Sequence, residues 1–361
     1  MSLPMRSPAS ARRRLRLPIG NPYPLLVAVL TAGIALGDAG ATSYAEHRDA
    51  MAFADDIAQR HGLSAPSVRA LIGAGQRRDD ILKLMRRPAE GKPWHAYRAI
   101  FLTDRRIREG MRFQHDHRDS LQRMAREVGV DPHIVTAIIG VETYYGGNMG
   151  AHRVLDALTT LAFDYPKRAR FFSKELEQFV LLTHRQDIDA RTVKGSYAGA
   201  MGLGQFMPSS YRAYARDGDG DGRIDLWGSV DDAIFSVAHY LKRHGWRTDE
   251  RIVAAVSAIG DAQPDKRLKP TRTLRALSSA GLLTPAKLPP DAKATLIELQ
   301  SEHGATHWLG LHNFYVITRY NHSHKYAMAV TQLSQAIRQR LAMAHAPAAR
   351  PDGQPLTESD A

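Results

Sequence analysis

The chain of 361 residues contains no cysteine. That excludes disulfides, thiolate metal sites, thiol nucleophiles and anchoring through an acylated cysteine. No G-x-S-x-G serine motif and no H-E-x-x-H zinc motif occurs. His115-x-His117 and His322-x-His324 lack a third ligand and read as surface residues. Acidic residues are outnumbered, with 49 Lys and Arg against 37 Asp and Glu, a net charge of +12. Such a surface suits an anionic polymer or membrane. No apolar run reaches the roughly 18 residues of a confident membrane span.

The amino terminus carries Arg12 to Arg14 and Arg16, then the apolar segment Leu25 to Leu36, then Ala39-Gly40-Ala41 and Ser43-Tyr44-Ala45. This layout predicts a secretory signal peptide over residues 1–45, with an uncleaved anchor as the alternative. The expected location is the periplasm, in a form that is not lipid-anchored. The mature chain stays basic, and export makes nucleic acid a poor match for that charge.

From Met51 to Glu127 the text is helical: a segment ending at Gly62, one capped by Ser64, one holding Ile81, Leu82 and Met85, and a long one after Thr103, with a loop from Pro88 to Pro93. Trp94 and Tyr97 follow that loop and read first as core aromatics.

The stretch Asp131 to Gly150 puts a single acid where a carboxylate is uncomfortable. Asp131 before Pro132 reads as an N-cap with proline at the first helical position, and Gly146 and Gly147 are expected to stop the helix. Counting back from Glu142 by one helical turn and by two reaches Ile139, Ile138 and Val135, so the acid extends an apolar stripe. Burial and the negative end of the helix dipole both disfavour its ionised form, which is what a general acid at neutral pH requires. A glutamate snorkelling from a core helix into water is the alternative.

Two further helices are expected, separated near Asp164 to Pro166. The run Ser196 to Pro208 then interrupts the helical text with closely spaced glycines that let backbone approach something, though without the spacing of a phosphate loop. Asp217-Gly218-Asp219-Gly220-Asp221-Gly222-Arg223-Ile224-Asp225 matches the first nine positions of an EF-hand loop, with oxygen ligands at 1, 3 and 5, Gly at 6 and a backbone carbonyl, that of Arg223, at 7. The twelfth position, Gly228, cannot supply the bidentate glutamate. A lengthened loop closed by Asp231, in the first turn of a Ser229-capped helix, is the expected repair, with Asp232 in reserve. A solvated acidic turn is the alternative.

Thr295 to Leu299 and His312 to Tyr320 have the β-branched and aromatic content of strands. Tyr326, Val330, Leu333, Ile337 and Leu341 mark a closing helix, and the tail from His345 has a disordered composition.

Gly140-Val141-Glu142-Thr143, the run Ser196 to Pro208, the Asp217 to Asp231 loop and the segment Phe314 to Ser323 come in the order of the B-type lytic murein transglycosylases. The chain resembles that family over roughly residues 50 to 342. The resemblance implies an α+β, mainly α fold with a lysozyme-like core. Expected parts are a helical domain at 46–125, the catalytic core with the EF-hand-like loop at 126–260, a small β domain at 261–318, a closing helix at 319–343 and a disordered tail at 344–361. Glu142 would be the sole catalytic carboxylate, oriented by Ser196. Gln205, Phe206, Tyr240 and Asn321 would line a peptidoglycan groove, with Tyr97, Tyr320 and Tyr326 as weaker carry-overs. Structural Ca2+ would sit on Asp217, Asp219, Asp221, Arg223 and Asp231, with no catalytic cofactor. The implied partners are glycan strands, with cell-wall synthesis enzymes as candidates, and no nucleic acid.

The single acid fits the reaction the resemblance implies. Ordinary glycosidases need two carboxylates, and the next acid after Glu142 along the chain, Asp156, lies beyond a glycine turn in another helix. A lytic transglycosylase uses the sugar's own 6-hydroxyl and leaves a 1,6-anhydroMurNAc end. A hydrolytic muramidase and a non-catalytic wall-binding module are the alternatives.

Overall fold

The computed structural model describes residues 42–86 and 91–345. The signal-like segment up to Ala41, part of the Pro88 to Pro93 loop and the tail from Ala346 lie outside the described residues. The body begins earlier than the expected boundary at 45. Thr42 accepts a hydrogen bond from the Arg77 amide (3.0 Å), Tyr44 donates its amide to Gly75 (3.2 Å), and the Tyr44 side chain is 2% exposed with its hydroxyl on Asp164. Among the described residues, no helix is long and apolar enough to cross a membrane.

The fold is mainly α, with a small sheet. Arg48–His61 ends at Gly62 (φ 65°), and Ala65–Gly73 starts from the Ser64 cap. The long helix expected after Thr103 is two: Asp104–Asp116 breaks at His117 (φ −116°, ψ 31°), and Arg118–Val128 follows. Val154–Phe163 and Ala169–Gln186 flank a short turn at Pro166–Arg168. One apolar core runs from Tyr44 to Ile337, and the Pro132–Thr143 helix lies inside it, with every residue from Ile134 to Val141 buried. Packing on nearly all sides, rather than along one stripe, makes this helix a fixed platform for its last turn.

Lys293–Ser301 and Gly304–Gly310 form the central antiparallel hairpin, with Val253–Ala255 and Arg272–Thr273 at the two edges. Alternate residues Ala294, Leu296 and Leu309 face a second small core with Leu274 and Leu277. This β unit runs from Val253 to Gly310, so its first strand lies upstream of the 261–318 span.

The strand expected at His312 to Tyr320 is a helix, His312–Tyr320. Its buried Asn313, Val316, Ile317 and Tyr320 recur at helical spacing, and that burial overrides the β-branched composition. The last helix, His324–His345, packs against Trp94–Phe101, Asp104–Asp116 and Pro132–Thr143, so it closes the core over the acid's platform.

Candidate active site

Asp131 caps the helix that carries Glu142, accepting from the His133 amide at 2.9 Å, and Pro132 opens it. Burial opposes the Asp131 charge, but the His133 contacts and Arg338 outweigh it and hold the carboxyl below its ordinary range. The stop differs from the expected one. The chain turns left-handed at Tyr144 (φ 55°) and Tyr145 (φ 58°), before Gly146 (φ 90°). A non-glycine residue there costs about 1–2 kcal/mol. The Thr143 hydroxyl holds the turn, accepting from the Gly146 amide (3.0 Å) and donating to the Leu203 carbonyl (2.9 Å).

Glu142 is half-buried, and its Oε1 accepts a hydrogen bond from the Tyr326 hydroxyl at 2.6 Å. Burial first, then the nearby Glu142 charge, push Tyr326 and Tyr320 well above the ordinary phenol range, so both remain donors. The Tyr320 and Tyr326 rings are nearly parallel, with centroids 6.5 Å apart. Tyr320 meets Phe206 (5.9 Å) and Tyr240 (4.9 Å), and Tyr240 lies on His244 (4.1 Å). Tyr97 is fully buried between Trp94 and Phe101. Asn321, at the end of the Tyr320 helix, is also buried.

The glycine run is a folded loop held from both sides. Met201 and Phe206 exchange backbone bonds at 2.9 Å, Thr143 bonds the Leu203 carbonyl, and the Tyr320 hydroxyl donates to Gly204 (2.5 Å). Gly202 (φ 68°) is required, because a Cβ would sit 2.4 Å from the Leu226 carbonyl. Ser196 Oγ accepts from the Ala200 amide (3.1 Å), and Gln205 (φ 49°) donates to Met149 (3.1 Å) and Gly202 (3.0 Å) carbonyls. These bonds set the loop's shape.

Other buried acids are occupied elsewhere. Asp156 accepts from the Gln76 amide (2.9 Å) and pairs with Arg153 (3.0 Å). Both Glu175 oxygens are bonded by Ser209, at 2.9 and 2.7 Å. His322 and His324, expected at the surface, are half-buried; His322 meets Arg319 at 2.9 Å, and burial lowers the His324 pKa.

In the acidic loop, ligand atoms of Asp217, Asp219 and Asp232 lie within 4.8 Å of one another. Asp231, expected to close this loop, faces away: its carboxylate takes Ser120 (2.5 Å) and Arg123 (2.9 Å) from the Arg118–Val128 helix. The reason is helical phase. Ser229 caps Val230–Arg243 and binds the Asp232 amide at 3.2 Å, so the third residue swings back over the helix start. Asp232 then accepts from the Gly218 and Asp225 amides, each at 2.6 Å. Asp221 is turned to the Arg223 amide (2.7 Å). Three carboxylates meeting, one of them 1% exposed, make an all-oxygen donor set that fits a hard divalent cation.

The sequence matches the transglycosylase SLT domain over residues 45–335. The chain belongs to the lytic murein transglycosylases. It is 42% identical over 304 residues to membrane-bound lytic murein transglycosylase B of Escherichia coli K12, covering 81% of this chain and 84% of that protein. Its structure resembles the lytic transglycosylase SltB1 of Pseudomonas aeruginosa, at 44% identity and a TM-score of 0.78, over 82% of this chain and 99% of that one. It also resembles the E. coli lytic transglycosylase Slt35 in complex with calcium, at 40% identity and a TM-score of 0.76, over 82% and 95% of the two chains. In this transglycosylase Tyr326, expected only as a weaker groove residue, is the direct partner of the Glu142 carboxylate. Thr143 was missed as a bridge, and only its position beside Glu142 hinted at it.

Proposed function

We propose that this chain cleaves the β-1,4 bond between MurNAc and GlcNAc in peptidoglycan, with Glu142 acting first as acid and then as base. Glu142 gives its proton to the bridging oxygen as the C1–O bond breaks. The MurNAc 6-hydroxyl forms the new bond to C1 and returns its proton to Glu142. No water is consumed, and the product is a 1,6-anhydroMurNAc end.

The observation that carries this reading is one half-buried carboxylate held by a tyrosine hydroxyl at 2.6 Å, beside a glycine loop and a set of aromatic rings. The buried carboxylates Asp156, Glu175 and Asp232 are each committed to other partners. Phe206, Tyr240 and Tyr320, with Gln205, Ser196, Asn321 and Tyr97 around them, are proposed to shape the groove for the sugars. Calcium is proposed as a structural ion on Asp217, Asp219 and Asp232, and the site of action as the periplasm. The test is Glu142→Gln, which keeps the shape but cannot deliver a proton. General acid catalysis is worth about 10²–10⁴-fold, so the variant should fold and lose turnover by that order. Substantial activity in the folded variant would move the acid elsewhere.

A further inference from the structure

We infer that Tyr145 is a positioning residue that sets the distance between Glu142 and Tyr326. The inference rests on Glu142 being the acid. The Tyr145 ring fills a slot that two glycines leave open on two different helices. A Cβ at Gly140, in the Pro132–Thr143 helix, would stand 2.5 Å from the ring, and a Cβ at Gly110, in Asp104–Asp116, would stand 2.5 Å from the Tyr145 hydroxyl. The same Cβ at Gly110 would also meet Ile337 at 2.5 Å. Ile337 belongs to the closing helix that carries Tyr326. Three helices therefore converge on this ring.

The anchoring is specific. The Tyr145 hydroxyl donates to the Arg106 carbonyl (3.0 Å), its amide points back to the Ile139 carbonyl (3.4 Å), and the Phe113 ring lies 5.7 Å away. On the other side of the turn, the Arg106 guanidinium covers the Tyr144 ring at 4.8 Å. Both tyrosines accept a left-handed backbone that glycine would adopt without strain. A tyrosine at a position where glycine is easier points to the ring rather than the backbone as what this position supplies. Glu142 stands three residues before Tyr145, and its partner stands on the closing helix that packs at the slot. A change in the slot therefore moves one end of the 2.6 Å bond against the other.

The experiment compares four variants by kcat and KM on soluble glycan strands, with melting curves for each. Tyr145→Ala, which empties the slot, should lower kcat by about tenfold or more while KM stays within roughly twofold, because the acid is misplaced and the groove is intact. Tyr145→Phe keeps the ring and should restore most of the lost kcat. Gly140→Ala puts a methyl against the ring and should also lower kcat. Adding it to Tyr145→Ala should cost little more, since the clash is gone. Gly140→Ala serves as the test if Tyr145→Ala does not fold. A folded Tyr145→Ala or Gly140→Ala protein with wild-type kcat would overturn the inference, as would equal losses in Tyr145→Phe and Tyr145→Ala. An active Glu142→Gln enzyme, by contrast, would remove the acid assignment on which the inference stands.

Discussion

Tyr326→Phe deletes one oxygen and tests whether the acid is held as described. The ring is fully buried and keeps its stacking on Tyr320, so packing is nearly unchanged and no cavity beyond one hydroxyl appears. What is lost is the 2.6 Å bond to Glu142 Oε1. A hydrogen bond to a charged group is worth about 1.5–3 kcal/mol. If the bond serves to keep the carboxylate aimed through the reaction, kcat should fall by roughly 10- to 100-fold. The melting temperature should drop by only a few degrees. An O–H donor favours an ionised carboxylate, so its removal should also carry the alkaline limb of the activity–pH profile upward. The assay is turnover of soluble glycan strands across pH, beside a thermal melt. A folded Tyr326→Phe enzyme with wild-type kcat and an unmoved profile would show that this bond does not hold Glu142 for the reaction.

Four further outcomes are expected. Added calcium should raise the melting temperature and a chelator should lower it by mass action, and Asp232→Asn should abolish the response whereas Asp231→Asn should keep it; the reverse order would restore Asp231 as the closing ligand. Burial pushes the Glu175 carboxyl up despite the two Ser209 donors. Its folded pKa lies above the unfolded one, so its contribution to stability falls as pH rises from the ordinary glutamate range upward. Glu175→Gln, which can still pair with Ser209, should therefore gain in melting temperature relative to wild type between pH 4 and 7, and parallel curves would contradict this. Tyr44→Ala should destabilise by about 3–5 kcal/mol, as for a large buried aromatic. If the signal-like segment is removed, the intact mass of the mature chain should place its first residue no later than Thr42, because Thr42 and Tyr44 bond Arg77 and Gly75, and a start after Ala45 would contradict that docking.

Much of the site was legible because it is built from local signals. An N-cap with proline fixed the start of the Glu142 helix, and the EF-hand spacing located the acidic loop. What was not legible depends on neighbours distant in the chain. The helix stops at Tyr144 rather than Gly146, where the Tyr145 side chain lies against Gly110 of a different helix. His312–Tyr320 reads as strand by composition, and it is a helix because its buried Asn313, Val316, Ile317 and Tyr320 recur at helical spacing. The placement of Asp232, rather than Asp231, beside Asp217 and Asp219 follows the Ser229-x-x-Asp232 pattern, since the third residue of a capped helix reaches back. The partner of Asp231, Arg123, lies on another helix and had no local signature.

Glu142 is proposed to work without a second carboxylate and without water. Purified sacculi digested with the enzyme, reduced with borohydride and analysed by mass spectrometry test it most directly. Fragments whose MurNAc ends resist reduction and are one water lighter than hydrolytic products are expected, and none of them with Glu142→Gln. Reducible MurNAc ends as the main product of the wild-type enzyme would contradict this proposal and require a second carboxylate at the site.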